Sequence, residues 1–119
     1  MKRRDVGVLG EKIAANYLKK QGYRVHETNF RCREGEIDII AEKDDCLVFV
    51  EVRSRTSNSF GSPAESITPA KVERLIVLGQ IYIESHTNLP SSSRIDVVTV
   101  ELTAGNKVSR IETIENATG

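Results

Sequence analysis

Alternation of apolar and polar positions is sharpest between Gly35 and Arg53. There Gly35-Glu36-Ile37-Asp38-Ile39-Ile40-Ala41 and Leu47-Val48-Phe49-Val50-Glu51-Val52-Arg53 flank a polar centre, Glu42-Lys43-Asp44-Asp45-Cys46. A period of two predicts a pair of strands joined as a hairpin, with Ile37, Ile39 and Ala41 on one face of the first and Val48, Val50 and Val52 on one face of the second. The opposite face then carries Glu36, Asp38 and Ile40 from one strand and Phe49, Glu51 and Arg53 from the other. A turn centred between Asp44 and Asp45, with two or four loop residues, puts Asp38 directly across from Glu51 and Glu36 across from Arg53. Slipping the pairing by one residue would bury the charges and expose the valines, so the apolar pattern enforces a register of this parity.

The pattern elsewhere surrounds this hairpin with helices and further strands. Residues 5 to 20 predict a helix capped by Asp5, with Val6, Leu9, Ile13, Ala14, Tyr17 and Leu18 at helical spacing and Gly22 as its stop. Glu11 falls about 20° from Leu18 on the helical wheel, at the edge of the apolar stripe, where an acid can look toward a sheet. Tyr23 to Phe30 predicts a strand, and Arg31 to Gly35 a charged turn into the hairpin. Residues 54–67 have no periodicity and contain Gly61 and Pro63, which predicts a mobile loop. Thr68-Pro69 is a helix start, and Val72, Leu75, Ile76, Leu78, Gly79, Tyr82 and Ile83 carry that helix to about Ser85. Arg94 to Leu102 is β-branched and long enough for a central strand, and Lys107 to Ile114 predicts a weaker edge strand before a disordered tail at 115–119. The whole order reads as an α/β fold with a mixed sheet flanked by helices, in the sequence αβββαβ.

Composition narrows the class. A chain of 119 residues holds one domain, residues 1–119, and 39% hydrophobic with 29% charged residues is ordinary for a globular protein. No apolar run approaches the roughly 20 residues of a membrane span, and Met1-Lys2-Arg3-Arg4 leads into no signal-peptide core, so the expectation is a cytoplasmic protein with no membrane partner. Cys32 and Cys46 are too few and too far apart for a zinc site, and are read as free thiols. Seventeen basic residues balance seventeen acidic ones, which argues against a strong non-specific grip on nucleic acid while leaving room for a local basic patch.

Two carboxylates opposed on neighbouring strands destabilise the pair unless a cation or a shared proton compensates them. Asp on one strand and Glu-x-basic on the next suits metal-dependent phosphodiester hydrolysis: the acids bind Mg²⁺ or Mn²⁺ through oxygen, and the basic side chain two residues on points to the same face and can hold phosphate or orient water. The bare spacing equally suits a surface ion network of Glu36, Asp38, Glu51, Arg53 and Arg55, each pair worth at most about 1 kcal/mol.

Gly10-Glu11 with Ala14, Gly35-Glu36-Ile37-Asp38, Val48-Phe49-Val50-Glu51-Val52-Arg53-Ser54-Arg55 and Arg94-Ile95-Asp96-Val97-Val98 together resemble the YraN family of small uncharacterised bacterial proteins. That family resembles the archaeal Holliday junction resolvases and the wider PD-(D/E)xK nuclease superfamily. The resemblance spans roughly residues 3 to 102 and implies a restriction-endonuclease-like core. It also implies Asp38 and Glu51 as ligands of Mg²⁺ (or Mn²⁺), Glu11 as the helix acid of resolvase-like members, and Arg53 in the motif's basic position. Arg53 departs from the Lys usual there and stays protonated at any relevant pH, so it can position or stabilise charge but cannot act as a general base. The signature Pro-Asp pair is also absent, since Ile37 precedes Asp38.

The resulting expectation is a metal-dependent nuclease acting on DNA, branched DNA included, with Glu11, Asp38, Glu51 and Arg53 as catalytic candidates. Arg31, Arg33, Arg55 and Lys71 are the nucleic-acid-binding candidates, and a symmetric substrate would favour a homodimer. The alternatives are a non-catalytic nucleic-acid-binding module of the same fold and a structural or partner-binding protein.

Overall fold

A computed structural model describes residues 3–56 and 67–118, with side chains from Asp5 onward. The elements follow in the order α1 (Arg3–Lys20), β1 (Arg24–Cys32), β2 (Gly35–Lys43), β3 (Cys46–Thr56), α2 (Pro69–Glu84), β4 (Ser92–Leu102) and β5 (Val108–Ile114). The five strands form one sheet in chain order, antiparallel except that β3 and β4 run parallel. The αβββαβ order thus stands, in an α/β fold whose mixed sheet is covered by a helix on each face.

Each helix buries its apolar stripe on one face of the sheet. Val6, Ala14 and Leu18 of α1 pack with Ile39, Ala41, Val48, Val50, Val98 and Val100, while Leu75, Leu78 and Tyr82 of α2 pack with Ile37, Ile40, Leu47, Phe49 and Ile95. Each helix has a glycine at a close contact with the sheet. A Cβ on Gly10 would lie 2.6 Å from the Ser54 Cβ, and one on Gly79 would lie 2.7 Å from the Phe49 ring. Gly10 therefore lets the turn that carries Glu11 lie directly on β3. Thr68 caps α2, its hydroxyl accepting from the Lys71 N–H at 3.2 Å, with Pro69 in the first turn.

The hairpin closes as the pattern requires. Lys43 pairs with Cys46 across a two-residue turn in which Asp44 and Asp45 both have positive φ, 52° and 59°, a conformation that Asp tolerates better than most residues. Pairing then runs to Ile39 opposite Val50 in the expected register and stops there.

Beyond that pair several expectations are corrected. Ile37 does not share a face with Ile39: it packs with Ile40 on the α2 side, so strict alternation fails between them. Glu36 pairs with Arg31 of β1, not with Arg53. The predicted loop starts later than residue 54, because Ser54, Arg55 and Thr56 continue β3 in parallel pairing with Val100, Glu101 and Leu102. The remainder of that loop, residues 57–66, lies outside the described residues. The tail expected to be disordered is tied down at two points: the Asn116 N–H donates to Asp96 Oδ1 at 3.0 Å, and the Ala117 N–H to the Ile95 carbonyl at 2.7 Å. Gly119 lies outside the described residues.

Candidate metal and nucleic-acid site

Where β2 leaves the β3 ladder, its side chains change direction. Ile39 faces α1, and so does Asp38 immediately before it, which lines the same cleft as Glu11; two successive side chains on one face is what a bulge-like step in a strand produces. The Asp38 carboxylate takes the place of the missing ladder bond, Oδ2 accepting from the Val52 N–H at 2.8 Å. Asp38 is thus anchored to β3 beside Glu51 rather than standing squarely across from it in the ladder.

Glu11 approaches from α1 and Glu36 from the start of β2, and one oxygen each of Glu11, Glu36 and Asp38 lie within 4.8 Å of one another. The cleft holding them has a volume of about 740 Å³ and is lined by Gly7, Glu11, Asn29, Arg31, Glu36 and Asp38 among others. Burial, a hydrogen bond with the Glu51 carboxyl and that group's charge, with a smaller contribution from Glu11, push the Asp38 carboxyl up to about 8, against the pull of the Val52 N–H. Glu11 is raised as well, by burial first and then by the negative charge of Glu36, with Arg31 opposing. Carboxyls held above their ordinary range by burial and by one another mark a place where negative charge is under-compensated.

Basic groups meet the acids at the margins. Arg53 holds Glu51 in an ion pair of 2.9 Å, and its buried Nε has no hydrogen-bond partner among the described residues. Arg31, three-quarters exposed, reaches Glu36 Oε2 at 3.5 Å and contributes to the cleft wall. Arg33 is exposed in the turn between β1 and β2. Arg55 is mostly covered and pairs with Glu101 of β4 at 3.2 Å. Lys71 is exposed in the first turn of α2, the helix on the other face of the sheet. Of the eight residues singled out from sequence, Glu11, Asp38, Glu51, Arg53 and Arg31 come together, Arg33 lies at the adjoining turn, and Arg55 and Lys71 stand apart.

Two residues that sequence reasoning left out of the site belong to it. Glu36 is expected from the hairpin register to stand across from Arg53, and only the pairing of β1 with β2 shows it facing Glu11. Asn29 sits in β1 with φ of 54°. Its amide orientation is fixed by its surroundings: the atom facing two carboxylates must be nitrogen, which then donates to Glu11 Oε1 and Glu36 Oε1, each at 2.8 Å. An Asn within a strand pattern, a residue type that strands disfavour and the left-handed region accepts, was the available signal.

An all-oxygen carboxylate set fits a hard cation such as Mg²⁺ or Mn²⁺ and does not fit zinc or copper, which favour nitrogen and sulfur. No helix among the described residues is long and apolar enough to cross a membrane.

The model of Uncharacterised protein family UPF0102 matches residues 10–100, a span that includes Glu11, Asn29, Asp38 and Glu51. A UPF0102 protein of Syntrophomonas wolfei is 43% identical over 114 residues, which cover 96% of this chain and 97% of that protein. One of Dehalococcoides mccartyi is 44% identical over 117 residues, 98% of this chain and 95% of its own. One of Mycolicibacterium vanbaalenii is 43% identical over 100 residues, 84% and 83% of the two chains.

Proposed function

This chain belongs to Uncharacterised protein family UPF0102, and we propose that it is a nuclease-like protein that hydrolyses phosphodiester bonds in DNA with the help of Mg²⁺ or Mn²⁺. The observation that carries this reading is the convergence of Glu11, Glu36 and Asp38 on one point of a cleft, with Glu51 in hydrogen-bond contact with Asp38. Bringing these acids together opposes folding unless a cation or a shared proton joins them, because like charges in a half-buried place repel, and a divalent cation would serve all of them at once.

Asp38 and Glu51 are the ligands on this reading, and Glu11 completes the set from the helix. A divalent cation bound there supplies Lewis acidity toward a phosphate oxygen and a more acidic water. Arg53 steadies Glu51 and offers positive charge to a phosphate, and it contributes no general base because a guanidinium does not deprotonate. Arg31 and Arg33 line the approach, where they would meet the nucleic-acid backbone through phosphate contacts that fix position without reading sequence. Arg55, being paired with Glu101, and Lys71, on the other face, would contribute only to a more extended track.

A panel of four-way, flap, duplex and single-stranded DNA, incubated with Mg²⁺ and with Mn²⁺ beside the Glu51→Gln variant, tests the reading. Cleavage of at least one substrate by wild type and none by the variant is expected. A second reading, a nucleic-acid-binding module without turnover, draws on Arg53 standing where a lysine could serve chemistry. It is favoured if metal raises the melting temperature of wild type but not of Asp38→Asn while every DNA stays intact. Absence of any metal-dependent shift in wild type would discard both the metal and the hydrolysis.

A further inference from the structure

We propose that Asn29 is a positioning residue that clamps Glu11 against Glu36 and so aims the free oxygen of Glu11 at Asp38. This rests on the metal-binding reading above and adds to it the device that holds the helix acid in place.

The conformation of Asn29 is the first sign. Asn29, with φ of 54° in β1, lies opposite Asp38, where the alternation of β2 also breaks, so both strands depart from regular geometry at the acids. What the conformation achieves is to present one amide nitrogen to two carboxylates, 2.8 Å from Glu11 Oε1 and 2.8 Å from Glu36 Oε1. Both amide protons are then used on anions, the stronger kind of hydrogen bond.

The second sign is which oxygens these contacts occupy. Glu36 is held on both sides, Oε1 by Asn29 and Oε2 by Arg31. It is therefore an anchor for the amide. Glu11 is held by Oε1, Asp38 by Oδ2 through the Val52 N–H, and Glu51 by Oε2 through Arg53. Each of these three acids, from a helix and two strands, is fixed through one oxygen, and Asp38 and Glu51 also share a hydrogen bond whose place a cation would take. Glu11 reaches the cluster from the helix layer, and among the described residues its hydrogen-bond donor is Asn29. Removing the amide frees Glu11 to swing into solvent, away from the like charge of Glu36. Groups that orient metal ligands in this way commonly change metal affinity by about 10- to 100-fold when removed.

The test is Mn²⁺ titration calorimetry on the full chain as wild type, Asn29→Gly, Glu11→Gln and the double variant, with the metal-free melting temperature of each. Glycine accepts φ of 54° more readily than asparagine, so Asn29→Gly keeps the backbone while deleting the donors. The expected result is a Kd for Mn²⁺ weakened about 10-fold in Asn29→Gly. The double variant should bind no more weakly than Glu11→Gln alone, because Asn29 acts through Glu11. A Kd for Asn29→Gly within about twofold of wild type, whatever its melting temperature, overturns the assignment, and so do losses that add in the double variant. Failure of wild type to bind Mn²⁺ at all is a different result: it overturns the metal reading, and this inference with it.

Discussion

Asp38 and Asp96 are both carboxylates in strands of the same sheet, and the company they keep is opposite in kind. Asp96 has no exposed surface, yet it receives the Tyr23 hydroxyl at 2.9 Å, both Arg94 Nε at 3.0 Å and Arg94 Nη2 at 3.3 Å, and the Asn116 N–H at 3.0 Å. Asp38 receives one backbone N–H and otherwise faces Glu51 and Glu11. The Asp96 cluster joins the residue just before β1, the middle of β4 and the C-terminal segment, with a cation and donors that match the charge. Burial on its own therefore does not identify a site in this protein. Burial without compensation does, because a structural ion pair satisfies its members internally whereas Asp38 leaves an electrostatic deficit for something else to fill.

The strongest way to break the contrast is Asp96→Ala. It strands a guanidinium and a phenol whose partners are gone, and a loss of about 3 to 5 kcal/mol in urea unfolding is expected. Asp38→Asn should go the other way, raising metal-free stability by about 2 kcal/mol at pH 8, because it removes a carboxylate that folding forces toward like charges. The sign follows from protonation. Asp38 has a carboxyl near 8 in the folded chain against an ordinary 3.8, so between these values the folded state binds a proton that the unfolded state has released. Stability of the wild type should fall as pH rises through that window, and the part due to this group should be missing in Asp38→Asn; unfolding curves at pH 5 and pH 8 read both. Equal pH profiles for the two proteins would count against the assignment.

Smaller effects sharpen the same comparison. Tyr23→Phe deletes one donor to Asp96 and leaves Arg94 and the Asn116 N–H in place, so about 1 to 2 kcal/mol should be lost. Burial and the bond to Asp96 push the Tyr23 phenol up to about 12, so this donor keeps its proton throughout the neutral range. Arg94 is raised too: burial works against it, and the hydrogen bond and charge of Asp96 outweigh that. At the other extreme, Arg110→Ala removes a pair with Glu112 that stands largely in solvent on β5, and its cost in the same assay should stay within about 0.5 kcal/mol.

The fold was legible where local patterns decide it. Asp44-Asp45 and the flanking valines fixed the parity of the hairpin, Thr68-Pro69 marked the start of α2, and the family resemblance carried on Gly10-Glu11 and Gly35-Glu36-Ile37-Asp38 agrees with the UPF0102 match. That Asp38, Glu51 and Glu11 come near one another could be read because two adjacent strands and one helical wheel suffice to place them. Glu36 and Asn29 could not, since their position depends on which residues β1 pairs with and on a break in the alternation at Asp38. Asp96 was readable as a charged residue in a β-branched run and as part of a motif of the family resemblance, but not as a buried cluster, because its partners Tyr23 and Asn116 lie at distant points of the chain.

The tight turn at Asp44-Asp45 bears on how the molecule assembles. Closing a two-residue hairpin costs little loop entropy, whereas every partner of β3 on β4 lies beyond α2 and must wait for a long stretch of chain to return. On this order Asp38 and Glu51 should meet early, while the rest of the sheet is still forming, and their repulsion should then weigh on the folding barrier itself. Mg²⁺, bound as proposed above, should accordingly hasten refolding as well as delay unfolding. The chain has no Trp, so stopped-flow circular dichroism is the readout; an unchanged refolding rate with slower unfolding would place their meeting after the rate-limiting step.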